Sequence, residues 1–489
     1  MKNLLLPARS SFHLALLGLL ATAAPGRAQS PAAAPVAAAT AQATVSLTQQ
    51  LDSYVKLYEQ AGLFNGSVLV ADQGGVVLQK GYGLADRAAG TPNTPDTKFR
   101  IGSLTKQFTA AMVLRLVEQG KLKLNGRVGD YLPGYPSAAG RALTLHQLLS
   151  HTAGLPEYTA QPAFAAVSTT PQTPAQLVAM FASLPLNFEP GTKHQYSNSN
   201  YVLLGAIIEK VTSKPYAHVF EAQIARPARL RATAYAPTEP ADPRRAVGYQ
   251  STPSGLQPAP PIHMSTPFAA GAITSTVSDL YRWNQALQGT SVLSAASRRL
   301  LFTPVKENYA YGWMVFKARI GTAPDTVLIQ EHNGAVNGFG SFMVRVPQRQ
   351  QCIVLLDNHS NSRALANLRQ GLLRLLNHQP ATPPSVPAAP TAGTAAVSTT
   401  VAVPAAVLNT YVGVYELNPT FRITVRQRDS RLFVQATGQS EFETDASSPV
   451  LFTLRGLPAQ VEFAKNEKGE VARLYLLQGG NRQTAPRVE

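Results

Sequence analysis

The chain is poorest in cysteine and in charge. Cys352 is the only thiol among 489 residues, so no intramolecular disulfide can form. It lies in the strand-like run 351–357, where a buried, inert thiol is the simplest reading, and it is far from the N-terminus, which excludes lipid attachment there. Charged residues make up only 14% and hydrophobic residues 45%, a globular rather than a disordered composition. After the first segment no stretch reaches about 18 uninterrupted apolar residues, which excludes a later membrane-spanning helix. There is no His-Glu-x-x-His metal cluster, no Gly-x-Ser-x-Gly nucleophile elbow, and no Lys/Arg run interleaved with aromatics of the kind that grips nucleic acid.

The length exceeds one typical core, so two folded units are expected. Lys2 and Arg9, the apolar run 12–24, and Gly26-Arg27-Ala28 read as an export signal over 1–28. An Ala/Pro spacer follows at 29–45. A second low-complexity stretch, 379–405, is rich in Pro, Ala, Ser and Thr and reads as a linker. These bracket a main domain at 46–378 and a small domain at 406–489. The net charge is +16, and the last domain is nearly balanced, with ten basic and nine acidic residues. The excess therefore sits mostly in the main domain, where a solvated basic surface explains it and anionic partners such as wall polymers would also fit.

The main domain mixes periodicities. An amphipathic helix is expected at 51–61, and a strand hairpin at 66–71 and 76–81 across Asp72-Gln73-Gly74-Gly75. A buried helix should run over 103–119 and close at Gly120. Further helices are expected at 145–150, 175–182, 200–211, 277–287 and 363–376, and strands at 310–316, 327–331, 341–346 and 351–356. Two early strands, a helical middle and a late antiparallel run point to an α/β fold whose single sheet is built from both ends of the domain. The last domain shows six short β-rich runs, at 412–415, 422–426, 431–435, 450–454, 460–463 and 471–477, suited to a small β-barrel or sandwich.

Three motifs carry chemistry. In Ser103-Leu104-Thr105-Lys106 the serine and lysine are three apart, so on a helix their side chains meet. A serine hydroxyl needs a base, and a desolvated lysine amine can supply one. The spacing alone is unspecific, since Ser53-Tyr54-Val55-Lys56 shares it on a surface helix. Ser103, however, opens a buried helix whose free N–H groups can hold an oxyanion. Tyr196-Ser197-Asn198 precedes a helix and offers a phenol and a carboxamide, although four capping residues in a row also suit a plain helix-cap loop. His332-Asn333-Gly334 follows a strand, where glycine permits close backbone approach by a substrate and where a simple turn is the alternative.

Taken in this order, the motifs resemble the serine β-lactamase/penicillin-binding superfamily, and most of all its branch of AmpC-type β-lactamases, D-Ala carboxypeptidases, D-aminopeptidases and family VIII esterases. The likeness extends through Phe64-Asn65-Gly66-Ser67, Gly81-Tyr82-Gly83-Leu84-Ala85-Asp86, Ser150-His151-Thr152-Ala153-Gly154-Leu155 and Gly338-Phe339-Gly340, and the C-terminal region is similar to a β-barrel module often appended to these hydrolases. The resemblance implies an antiparallel sheet flanked by helices, with an all-helical subdomain. It implies Ser103 as the acylated nucleophile and Lys106 with Tyr196 as the proton-transfer pair. It also implies Asn198, His332, Gly334 and Ala335 in substrate binding, with the N–H groups of Ser103 and Ala335 as the oxyanion hole. No metal and no organic cofactor are implied. His332 stands where β-lactamases and transpeptidases carry lysine, and a neutral imidazole holds a carboxylate less strongly. The expected activity is therefore that of an exported esterase or D-amino-acid peptidase acting on a small molecule or short peptide, cell-wall fragments included. A true β-lactamase and a non-catalytic wall-binding protein are the alternatives. His151 reads as structural, and the oligomeric state stays open.

Overall fold

The computed structural model describes residues 45–235, 242–252, 255–384, 401–418, 421–436, 441–455, 459–478 and 481–488. The expected export signal at 1–28, nearly all of the expected spacer at 29–45 and much of the expected linker at 379–405 lie outside the described residues.

A six-stranded antiparallel sheet organises residues 46–384. Its strands are β1 (Gly66–Asp72), β2 (Gly75–Tyr82), β3 (Met314–Arg319), β4 (Thr326–Val336), β5 (Phe339–Val346) and β6 (Gln351–Asp357), in the spatial order β3-β4-β5-β6-β1-β2. The early hairpin thus joins the late strands, β1 pairing β6 from Gly66↔Asp357 to Ala71↔Cys352. Both faces are covered, which is why the strands read as near-continuous apolar runs. Val68, Val70, Ile353 and Leu355 face one core with α1 (Leu47–Gln60) and α5 (Ser362–Leu376). Leu69, Ala71, Cys352, Val354 and Leu356 alternate into the other, with α2 (Thr105–Glu118), α3 (Asn198–Thr212) and α4 (Val277–Ala286). Cys352 is buried as expected, and burial pushes its thiol up to about 12.

Two differences from the sequence reading bear on the site. The strand expected at 310–316 begins only at Met314. Gly312 has φ +74, and a Cβ there would lie 2.8 Å from the Lys106 carbonyl oxygen, so the chain stays irregular while it packs against α2. Conversely, the strand expected to stop at Glu331 runs on to Val336. β3 ends its pairing at Met314↔Glu331, so His332–Val336 pairs only with β5 and leaves its other edge to the Ser103 turn.

The C-terminal residues form a nearly closed eight-stranded barrel, comprising Gly413–Asn418, Phe421–Arg428, Arg431–Ala436, Glu441–Ala446, Leu451–Leu454, Ala459–Lys465, Val471–Gln478 and Asn481–Pro486 as a sequential meander. Its first and last strands meet at Tyr415↔Arg487, and the Val488 N–H donates to the Val414 carbonyl at 2.8 Å. Two strands escaped the sequence reading because they are polar. In Glu441–Ala446 only Thr444 and Ala446 are buried, while the outward Glu441, Glu443 and Asp445 pair with Arg426, Arg431 and Arg455. Among the described residues no helix is long and apolar enough to cross a membrane.

Candidate active site

Ser103 sits in a one-turn 3-10 helix, Gly102–Leu104, that runs straight into α2 rather than in the α-helix itself. The turn presses against the free edge of β4, and two glycines permit the approach. Gly102 has φ +50, and a Cβ on it would fall 2.7 Å from the Ala335 nitrogen. A Cβ on Gly334 would fall 2.2 Å from the Ile101 oxygen and 2.9 Å from the Ser103 nitrogen. The backbone nitrogens of Ser103 and Ala335 thereby both lie at the seam between this turn and β4.

Lys106, one turn on, is fully buried. Its Nζ lies 3.0 Å from Ser103 Oγ, 2.8 Å from Asn198 Oδ1 and 2.9 Å from the Ala270 carbonyl oxygen. The amide oxygen and the carbonyl can only accept, so a neutral amine gives them its two protons and turns its lone pair to the serine hydroxyl. Burial lowers the lysine to about 7 from an ordinary 10.5, partly opposed by the charge of Glu157. The decoy pair behaves differently. Ser53 and Lys56 are exposed, and Lys56 forms a surface ion pair with Asp52 at 3.0 Å.

Tyr196 is 38% exposed, and its hydroxyl faces Ser103 closely enough to feel it electrostatically. The surrounding protein holds the phenol well above its ordinary value, so it stays protonated through neutral pH. Lys106 Nζ lies 4.9 Å from the centre of the Tyr196 ring. Asn198 is already the first residue of α3, with Ser197 as the extended cap. The Ser197 hydroxyl does not cap the helix. Instead the Glu157 carboxylate accepts the Asn198 N–H at 2.6 Å and its side-chain NH2 at 3.2 Å. That second bond turns Asn198 Oδ1 toward Lys106.

His332 is 5% exposed and its ring centre is 6.2 Å from that of Tyr196. Both of its nitrogens are engaged within the protein, Nδ1 at 2.6 Å from the Asn333 carbonyl oxygen and Nε2 at 3.1 Å from Tyr309 Oη. Burial and the nearby Lys106 lower it to about 4, so it is neutral at pH 7. His151, fully buried, lies beneath Tyr196 with ring centres 4.3 Å apart. The fold thus brings together Ser103, Lys106, Tyr196, Asn198, His332, Gly334 and Ala335. Sequence reasoning missed Glu157 and Tyr309. Glu157 stands two residues after the quoted 150–155 stretch, and Tyr309 was hidden at the margin of an aromatic run read as strand. Among the described residues no group of three or more His, Cys, Asp or Glu is placed to hold a metal ion.

Similarity to known proteins extends over both parts of the chain. Residues 47–377 match the Beta-lactamase family, and residues 398–484 match a domain of unknown function, DUF3471. Penicillin-binding protein 4* of Bacillus subtilis is 29% identical over 87% of this chain and 95% of its own length. Among solved structures, the octameric penicillin-binding protein homologue from Pyrococcus abyssi superposes with a TM-score of 0.61 at 22% identity, covering 89% of this chain and 99% of the other. The D-amino acid amidase from Ochrobactrum anthropi SV3, complexed with L-phenylalanine amide, gives 0.60 at 24% identity over 68% and 99%. With the family match spanning the whole region that carries the Ser103 turn, α3 and the β4 edge, the chain belongs to the Beta-lactamase family of serine hydrolases.

Proposed function

We propose that the protein is an exported hydrolase that cleaves esters or D-aminoacyl amides through an acyl-enzyme on Ser103. The observation that carries this reading is the Lys106 amine, dry and held by two fixed acceptors with the Ser103 hydroxyl as its third neighbour. In acylation the Ser103 proton passes to Lys106 as Oγ bonds to the substrate carbonyl carbon. The oxyanion forms against the Ser103 and Ala335 N–H groups. The scissile C–O or C–N bond then breaks, and the leaving alcohol or amine takes a proton relayed through Lys106 and Tyr196. Water repeats the sequence in reverse roles and frees the acid and Ser103. Asn198 binds substrate amide, and no step calls for a metal or organic cofactor.

The choice of ester or D-aminoacyl amide over lactam rests on His332. Its ring is neutral and its nitrogens are occupied, so this strand offers no ammonium to a substrate carboxylate. The likeness to a D-amino acid amidase fits the amide half of the reading. The substrate in this reading is a small molecule or short peptide, wall-derived fragments included. In this reading residues 1–28 direct export, 46–378 form the catalytic domain and 379–405 tether the barrel at 406–489. Fluorophosphonate and bocillin labelling, with a panel of esters, D- and L-aminoacyl amides and nitrocefin, tests the proposal. Wild type is labelled and turns over esters or D-aminoacyl amides, and Ser103→Ala does neither. Rapid nitrocefin turnover would overturn the substrate assignment, and an unlabelled Ser103 would leave a wall-binding protein with the family's fold.

A further inference from the structure

A chain of buried hydrogen bonds links the second and third motifs, and its polarity can be worked out from either end. At the His332 end, Nδ1 faces the Asn333 carbonyl oxygen at 2.6 Å, and a carbonyl only accepts, so Nδ1 carries the proton. The ring is neutral, so Nε2 is a lone pair, and the donor to it is the Tyr309 hydroxyl at 3.1 Å. At the other end, His151 Nδ1 faces the Ser197 N–H at 3.2 Å and the Asn200 NH2 at 3.0 Å. Asn200 Nδ2 also meets the Ser197 carbonyl oxygen at 3.1 Å, which fixes that amide as the donor. His151 Nδ1 therefore accepts, its Nε2 carries the proton, and Nε2 lies 3.2 Å from Tyr309 Oη. The two ends agree at Tyr309, which accepts from His151 and donates to His332. All three side chains are at most 5% exposed, and the ring of Tyr309 also lies edge-on to Tyr196, 6.0 Å between centres.

We propose that Tyr309 and His151 are positioning residues that lock His332 with no nitrogen free for substrate, and that this lock restricts the site to acyl donors lacking a carboxylate on the leaving group. The lock begins on the Ser197 N–H, between Tyr196 and Asn198, so the same chain fixes the height of both motifs around Ser103. The specificity half rests on the reading of Ser103 as the acylated residue. The lock itself does not.

Two measurements on the full chain separate them. Long-range proton–nitrogen NMR of histidine-labelled protein at pH 8, assigned with His151→Gln and His332→Gln, reads the tautomers directly. His332 should be protonated on Nδ1 and His151 on Nε2. The opposite tautomer at either residue overturns the lock, whatever the activity. The second measurement compares butyryl esters of methyl 3-hydroxybenzoate and of 3-hydroxybenzoate, which differ in one leaving-group carboxylate. Tyr309→Phe keeps the ring packing, removes the proton donated to His332 and leaves Nε2 open to protonation against an incoming carboxylate. The wild-type preference for the neutral ester should shrink about tenfold, the size of one charged hydrogen bond, through a lower KM for the anionic ester. A purely structural loss slows both esters alike, and an unchanged preference overturns the specificity assignment. If Ser103 resists labelling while the tautomers stand as stated, the hydrolase reading fails and the lock remains.

Discussion

Lys106 offers a test in which one number must appear twice. In the folded protein its amine loses its proton near 7, whereas the ordinary value of 10.5 applies once the chain unfolds. Between those values the unfolded chain binds one proton more than the folded one, so stability must rise with pH across this window. The slope is about 1.4 kcal/mol per pH unit. Below 7 both states are protonated and the dependence vanishes. Replacing Lys106→Met removes the titration and leaves the Asn198 and Ala270 oxygens without their donor, a pH-independent offset of about 1–3 kcal/mol each. The stability difference between wild type and variant should therefore be flat below pH 7 and climb by about 3 kcal/mol between pH 7.5 and 9.5. His332, already neutral there, contributes nothing to the difference. Both tryptophans of the chain, Trp283 and Trp313, lie in the core around α2, so urea unfolding followed by tryptophan fluorescence reports this part and not the barrel. The same deprotonation must set the ascending limb of kcat/KM, half-maximal near pH 7 with a slope of one. A flat stability difference, or a limb displaced toward 10, would refute the picture of a neutral amine acting on Ser103.

Glu157→Gln should move that ascending limb to lower pH, because the carboxylate charge raises Lys106. It should also reduce kcat/KM about tenfold by weakening the charged bond to the Asn198 N–H, and a pH–rate profile checks both effects. Gly334→Ala drives a methyl into the Ile101 oxygen and the Ser103 nitrogen, so about 1–3 kcal/mol of stability is lost. Fluorophosphonate labelling of Ser103 should slow by at least about 100-fold as the oxyanion donors part. Tyr196→Phe keeps the ring over His151 and Lys106 but removes the hydroxyl that faces Ser103. Single-turnover assays should show acylation falling by about 100-fold or more.

Local spacing and periodicity made much of this legible. Ser103 and Lys106 could be paired from sequence because three positions along a helix return to the same face. The sheet strands declared themselves through apolar runs, since both faces are buried. Where the reading slipped, contacts from distant parts of the chain had overruled local preference. Ala310 to Trp313 looked like the start of a strand, yet the close approach of Gly312 to α2 keeps it irregular. The strand expected to end at Glu331 continues because β5 pairs with it through Val336. Glu441–Ala446 was not among the runs read as strand because it is polar, and pairing within the barrel, with Arg431 of the neighbouring strand on Glu443, makes it one.

The sequence by itself determined that Ser103 and Lys106 stand one turn apart and that the architecture is α/β, because those depend on residue identity and short-range periodicity. Only the tertiary structure decided that the lysine is dry, that Glu157 aims Asn198 at it, and that His332 meets Tyr309, which in turn meets His151. The physical reason is that desolvation and hydrogen-bond direction belong to neighbours brought together across long stretches of chain, and no local pattern records who those neighbours are.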